Sequence, residues 1–75
     1  NGQIETLQFH IKEANKMTAK PLSQLKLKKG VLIAAIIRKG KTIFPTGEDT
    51  LEVGDKLLVT TLLPNITKIY DLIAR

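Results

Sequence analysis

The sequence feature that most constrains the fold is a run of seven consecutive apolar residues at positions 31–37. Gly30 bounds the run and its residues are largely β-branched, which favours a strand over a helix. A strand that is apolar at every position is covered on both faces. We therefore expect the domain's own helix on one face and another helix or another subunit on the other. The run is far shorter than the ~20 apolar residues that a membrane-spanning helix needs.

Shorter patterns on either side of this run predict three further strands. Residues 7–12 alternate apolar and polar side chains, which is typical of a strand with one buried face. Lys39 and Gly40 form a two-residue connection, which predicts a hairpin with a return strand over residues 42–44. Residues 45–55 are predicted to be a loop, and residues 56–62 the fourth strand.

Two segments are predicted to be helical. Pro21 suits the first position of a short helix over residues 20–25, because its missing N–H costs nothing there. After Pro64, four apolar side chains follow the spacing of an amphipathic helix: Ile66, Ile69, Tyr70 and Ile73. The sequence therefore predicts an α+β domain, a small, mainly antiparallel four-stranded sheet with a short crossover helix and a C-terminal amphipathic helix.

A chain of 75 residues is long enough for one domain only, so residues 1–75 are expected to be a single domain. It has no cysteine and therefore no disulfide, and a core of this size stabilises a fold by only a few kcal/mol. Either the packing is unusually good or a second chain shares the core. Because the chain begins at Asn1 and its one methionine is Met17, we expect it to be part of a longer protein.

The positive charge of the chain is concentrated in its first half. Residues 12–41 contain nine basic residues and one acid, which is typical of a protein with an anionic partner or of a solvated lysine surface. The second interpretation is favoured, because ten of the twelve basic residues are lysines. Nucleic acid is not expected as a partner, because the chain has three aromatic residues and no basic recognition helix.

Residues with the potential for catalysis or metal binding are sparse. His10 is the one imidazole and Ser23 the one serine, so no nucleophile is paired with a base and no enzymatic activity is expected. Four carboxylates lie within residues 48–55, but their spacing does not match a calcium-binding loop. These carboxylates are Glu48, Asp49, Glu52 and Asp55, and we interpret them as acids that solvate a turning loop. We expect no bound metal and no cofactor.

Three segments together resemble a known family of regulatory domains. They are residues 20–25 (KPLSQL), residues 30–40 (GVLIAAIIRKG) and residues 45–55 (PTGEDTLEVGD). In this order and spacing they resemble the TrkA-C, or RCK-C, domain, the C-terminal regulatory domain of potassium-transport gating subunits. The resemblance covers residues 4–73, with Lys20 at a position where glycine is common.

The resemblance implies a function that the composition does not show. Such domains usually follow a Rossmann nucleotide-binding domain, form homodimers and lie in the cytoplasm at the inner face of the cell membrane, on a potassium transporter or channel. Some members bind cyclic di-AMP at the dimer axis, whereas others bind other ligands or none. A ligand-sensing and dimerising regulatory domain is therefore expected, and the alternative is a structural oligomerisation module without a ligand.

The candidate ligand site lies along the apolar run and the hairpin that follows it. If a cyclic dinucleotide binds where two copies of this strand meet, an apolar wall is expected from Leu32 and Ile33 together with Phe44 and Pro45. Arg38 can offer a bidentate fork to a phosphate, which lysine cannot. The alternative for Arg38 is that it only solvates the tip of the hairpin.

Overall fold

Four strands form one antiparallel sheet in the structure, a computed structural model that describes residues 3–74. The strands are β1 (Glu5–His10), β2 (Val31–Arg38), β3 (Lys41–Ile43) and β4 (Lys56–Thr61). Their order across the sheet is β1-β4-β2-β3, and each neighbouring pair is antiparallel. The predicted four-stranded antiparallel sheet is therefore confirmed, with the two longest apolar segments at its centre.

A β-bulge at Ala34 sets which side chains of β2 face the core. Ile33 pairs with Val59, but the next paired residue is Ala35, which lies opposite Leu58. Because the extra residue shifts the alternation, Ile33 and Ile36 lie on the same face although they are three positions apart. The bulge thus places two large β-branched side chains in the core within one short strand.

One face of the sheet, which we name the covered face, packs against the loops of the domain. Its fully or almost fully buried apolar residues are Ile33, Ile36, Leu57 and Val59. Segments outside the sheet add the remaining large side chains of the same core: Ile11, Met17, Leu51 and Leu72. The loops therefore supply half of this core, and they take the place that a helical layer usually fills.

The opposite face, which we name the open face, has no such cover within residues 3–74. By register it carries Leu32, Ala35 and Ile37 of β2 and Leu58 and Thr60 of β4. Leu32 is 62% exposed, Ile37, Leu58 and Thr60 are half-buried, and the small side chain of Ala35 is 5% exposed. The expected cover by the domain's own helix is therefore wrong, because loops form that layer, and cover of the open face by another subunit stays a prediction.

The predicted C-terminal amphipathic helix is not observed. Its segment contains one 3₁₀ turn, Ile69–Leu72, preceded by Asn65 with a φ of 65° and followed by extended Ile73. The backbone pairs with the segment around Leu27 instead, since Lys28 N–H donates to the Leu72 carbonyl at 2.8 Å. A helix this short is not stable without tertiary support, and here the tertiary support favours an extended pairing.

The predicted crossover helix over residues 20–25 is reduced to a single 3₁₀ turn, Leu22–Gln24. The N–H groups of Leu22 and Ser23 donate to the carbonyls of Asp49 and Gly47, at 2.8 and 2.9 Å. These groups bond to a facing loop, and the chain turns into an extended conformation at Leu25. Within residues 3–74 no helix is long and apolar enough to cross a membrane.

Candidate functional site

The candidate site centres on the end of β2, where the chain turns into β3. Lys39 and Gly40 form the two-residue turn, with φ values of 51° and 78°. Both residues need a positive φ in such a hairpin turn, and glycine adopts it without steric cost. The turn confirms the predicted hairpin and places Arg38, the last residue of β2, beside the loop at residues 45–55.

The guanidinium of Arg38 is held by three residues of that loop. Its Nε donates to Oδ1 of Asp55 at 2.9 Å, and its Nη2 donates to Oδ2 at 2.8 Å. Nη2 also donates to the carbonyl of Thr50 at 3.0 Å, and Nη1 lies 3.2 Å from Oε2 of Glu52. The geometry is that of a bidentate arginine–carboxylate pair, which joins the hairpin to the loop.

Asp55 is fully buried, and its side chain has no other positively charged partner among residues 3–74. Burial by itself would raise the pKa of Asp55. The pKa nevertheless lies below its ordinary value, because three effects outweigh that of burial. They are the hydrogen bond from Arg38, a hydrogen bond from the Glu52 N–H at 2.8 Å and the charge of Arg38. Asp55 is therefore ionised at neutral pH and forms a buried ion pair.

The backbone of Asp55 fixes the same loop to the first strand. Its carbonyl accepts a hydrogen bond from the Ile11 N–H at 2.9 Å, and the N–H of Gly54 donates to the Ile11 carbonyl at 2.7 Å. Arg38, Asp55 and Ile11 thus link β2, the loop and the end of β1. The ion pair and these backbone hydrogen bonds together fix the loop on the covered face.

Arg38 retains little hydrogen-bonding capacity for a ligand. Two of its nitrogens are occupied by Asp55 and Thr50, and the third faces Glu52, whose side chain is 59% exposed. The Arg38 side chain is itself 25% exposed. A phosphate would therefore reach Nη1 from solvent, in competition with the carboxylate of Glu52.

The other residues of the sequence-predicted site lie in different environments. Leu32 is exposed on the open face, six positions and roughly 20 Å along β2 from Arg38. Ile33 is 5% exposed and packs in the core. Phe44 is 78% exposed and Pro45 is half-buried just after β3. Within one chain the register does not bring these residues together, because Arg38 lies opposite Lys41 whereas Phe44 and Pro45 follow Ile43, the partner of Ile36, and Leu32 lies at the other end of β2.

The buried role of Asp55 was missed from the sequence. The interpretation of the four loop carboxylates as solvating acids is wrong for Asp55, because that residue is completely enclosed. The available signal was its position directly before the apolar strand β4, which carries it into the core opposite the end of β2. The described residues contain no group of three or more histidine, aspartate or glutamate side chains placed to hold a metal ion.

Comparison with known proteins gives a consistent result. A family model described as the TrkA-C domain matches residues 7–74. The Trk system potassium uptake protein TrkA homolog 1 of Methanosarcina mazei is 29% identical over 60 residues, which are 80% of this chain and 13% of that protein. TrkA homolog 2 of the same organism is 25% identical over 70 residues, 93% of this chain and 16% of that protein.

A third relative matches over nearly the whole chain. The Trk system potassium uptake protein TrkA of Azorhizobium caulinodans is 25% identical over 72 residues, which are 96% of this chain and 16% of that protein. The chain therefore spans only 13–16% of the length of the three relatives it matches. The similarity concerns one domain of those proteins.

Proposed function

Since the chain belongs to the TrkA-C domain family, we propose that it is a regulatory domain of a potassium uptake system. The observation that carries this proposal is the family match over residues 7–74, nearly the whole chain. Three relatives named as Trk system potassium uptake proteins support it. The partner would be a potassium transporter or channel in the membrane, reached through the parent protein from the cytoplasmic side.

We further propose that two copies of the domain associate through the open face. This face presents Leu32, Ile37 and Leu58 without cover from residues 3–74 of the same chain. A two-fold axis that runs between the two open faces, perpendicular to β2 and over its middle, would place Leu32 of one copy towards the Arg38 end of the other. Leu32 and Arg38 are far apart within one chain, but Leu32 of one copy would then lie near Arg38 of the other.

A cyclic dinucleotide such as cyclic di-AMP is the proposed ligand of that dimer. Leu32 and Phe44 are exposed enough to contact an adenine ring, Pro45 extends the same surface, and Ile33 supports it from the core. Arg38 lies on the covered face by register, so a phosphate at the dimer would have to reach its Nη1 around the end of β2, in place of Glu52, while the pair with Asp55 keeps the guanidinium oriented. A two-fold ligand suits this arrangement, because each subunit offers the same groups to one half of it.

Calorimetric titration of the chain with cyclic di-AMP tests the ligand, and light scattering tests the dimer. We expect one ligand per two chains, and an affinity that falls about tenfold or more in Phe44→Ala, because the exposed ring forms part of the adenine wall. Val53→Ala is the matched control, since Val53 is an exposed apolar residue outside the proposed site. Glu52→Gln is expected to bind more tightly, because it removes the competing carboxylate.

Variants of Arg38 are unsuitable as the main test, because they also remove the partner of a buried carboxylate. A dimer that releases no heat with cyclic di-AMP would leave the alternative function, a structural oligomerisation module. A monomer at the highest measurable concentration would exclude both the dimer and its two-fold site. The family membership does not depend on either result.

A further inference from the structure

A second candidate site lies on the other side of the domain, in the layer of loops over the covered face. It is an open cleft of about 710 Å³, between the 3₁₀ turn Lys16–Thr18 and the C-terminal segment. Its lining residues are Lys16, Lys28, Lys68, Tyr70, Asp71, Ile73 and Ala74. The volume falls in the range of small-molecule sites in proteins.

The cleft is positively charged. Three lysines and one aspartate line it, and within residues 3–74 the ion pairs formed are those of Arg38, so none of these lysines is paired with a carboxylate there. Asp71 already accepts hydrogen bonds from the N–H groups of Thr67 and Lys68, at 3.0 and 2.9 Å. The lysines that line this cleft therefore retain their ammonium donors for a ligand.

The positive surface continues beyond the cleft. A neighbouring hollow of about 280 Å³ shares Lys16, Ile73 and Ala74 with it and adds Lys20 and Lys26. Residues far apart in sequence, from Lys16 to Lys68, are thus brought together by the pairing of the segment around Leu27 with Ile73. Concentrated charge of one sign in a concave surface attracts small ions of the opposite sign.

One aromatic ring lies among these lysines. Tyr70 is 51% exposed and lines the cleft together with Ile73. An exposed ring beside several lysines suits a ligand that has both a planar base and a chain of phosphates. Lysine binds phosphate as a flexible point charge, which fits a linear polyphosphate better than a single rigid anion.

We propose that this cleft binds a nucleoside polyphosphate, with the phosphates on Lys16, Lys28 and Lys68 and the base on Tyr70. The site is independent of the open face and of the hairpin end. A ligand bound here would contact the C-terminal segment directly, and it would need no second subunit.

The binding test uses two probes, ATP and inorganic tripolyphosphate, with adenosine as the uncharged control. Calorimetry at low salt is expected to give one ATP per chain and no heat with adenosine. Tyr70 is the one tyrosine and the chain has no tryptophan, so its fluorescence reports tripolyphosphate entering this cleft. We expect binding to weaken as salt is added, because exposed charges are screened.

Matched variants separate a defined site from general attraction to a basic protein. The cleft variant, Lys16→Ala/Lys28→Ala/Lys68→Ala, is expected to lose about tenfold or more in affinity for both phosphate probes. The control variant, Lys12→Ala/Lys41→Ala/Lys56→Ala, removes the same charge from exposed positions outside the cleft, and its affinity is expected to fall by less than about threefold.

Four outcomes would overturn the proposal. Equal losses in the two lysine variants would show diffuse attraction, and an absence of heat with both phosphate probes would show no site. Tyr70→Ala is expected to lower the affinity for ATP several-fold and to leave the affinity for tripolyphosphate unchanged. If the affinity for ATP did not change, the base would not bind on Tyr70. Phe44→Ala serves as a further control. If this variant lost its affinity for ATP, the ATP site would lie at Phe44 and not in the cleft.

Discussion

The two faces of the sheet are built from the same strands, but they differ in what they contribute to the domain. On the covered face Ile33 and Ile36 are buried against loops from the same chain. On the open face Leu32 remains 62% exposed although it is adjacent to Ile33 in sequence. The apolar run at residues 31–37 is therefore divided, since Ile33 and Ile36 belong to the core whereas Leu32 has no cover from residues 3–74 of the same chain.

The difference between the faces rests on one buried polar contact as well as on apolar packing. The covered face is closed at the hairpin end by the loop at residues 45–55, and Arg38 holds that loop through Asp55. The structure has no equivalent loop on the open face within residues 3–74.

The largest effect is expected from a charge placed on neighbouring residues of β2. Ile33→Asp puts a carboxylate in the core without a partner, which costs several kcal/mol and exceeds the few kcal/mol that stabilise a domain of this size. We expect this variant to be unfolded by circular dichroism. Leu32→Asp is expected to retain the fold, with a change of roughly 0.5 kcal/mol or less in the chain alone.

The same pair of variants tests the proposed dimer. Leu32→Asp is expected to be a folded monomer by light scattering, because the charge lies where a second copy would contact the open face. A folded Leu32→Asp dimer would exclude this end of the open face from the interface. If Ile33→Asp were folded, the assignment of Ile33 to the core would be wrong.

A smaller effect is expected from removing the arginine that holds the loop. Arg38→Met leaves Asp55 buried without its partner. Loss of one member of a fully enclosed pair costs about 3–5 kcal/mol, and we expect about 2–3 kcal/mol here because the arginine is partly exposed. Urea unfolding measures the difference, and Lys39→Met at the adjacent exposed position is the control.

A second substitution shows whether the lost free energy belongs to the unpaired carboxylate. Arg38→Met/Asp55→Leu replaces both members of the pair by apolar side chains, and it is expected to be more stable than Arg38→Met alone. If the double variant were the less stable of the two, the buried charge would not be the cause of the loss.

The smallest effect is the dependence of stability on pH. The pKa of Asp55 is lower in the folded chain than its unfolded value of about 3.9. Its contribution is therefore fully present above about pH 5 and is lost as the pH falls through the folded pKa. In Arg38→Met burial raises the pKa of Asp55, so we expect the stability of that variant to increase as the pH falls from neutral.

Asp71 has to be separated from Asp55 in this measurement. Hydrogen bonds from the N–H groups of Thr67 and Lys68 lower the pKa of Asp71, with smaller contributions from the Thr67 hydroxyl and the charge of Lys28. Protonation of Asp71 at low pH therefore lowers the stability of the chain, as protonation of Asp55 does. The pH profile of stability is therefore best recorded in the Asp71→Asn variant. If that variant lost no stability in acid, Asp55 would not contribute to the acid-induced loss of stability.

Patterns of side chains were predicted more accurately from the sequence than backbone conformations were. Alternation over Leu7, Phe9 and Ile11 correctly indicated the strand β1, and the turn at Lys39 and Gly40 correctly indicated the hairpin of β2 and β3, because strand period and turn conformation are local properties. At the C-terminal end, the residues predicted to form an apolar helical stripe are largely in contact with the core. The prediction of a helix there was wrong, because the backbone of this segment pairs with a segment about 45 residues earlier in the chain.

Short segments and their spacing were enough to predict the number of strands, the antiparallel hairpin and the resemblance to the TrkA-C family. Tertiary structure alone decided which half of the apolar run is covered, because this depends on the bulge at Ala34 and on loops that return from elsewhere in the chain. It also decided the role of Arg38. A side chain that could have extended from the hairpin into solvent is bound instead to Asp55, a residue 17 positions away in the chain, because the fold buries that carboxylate beside it.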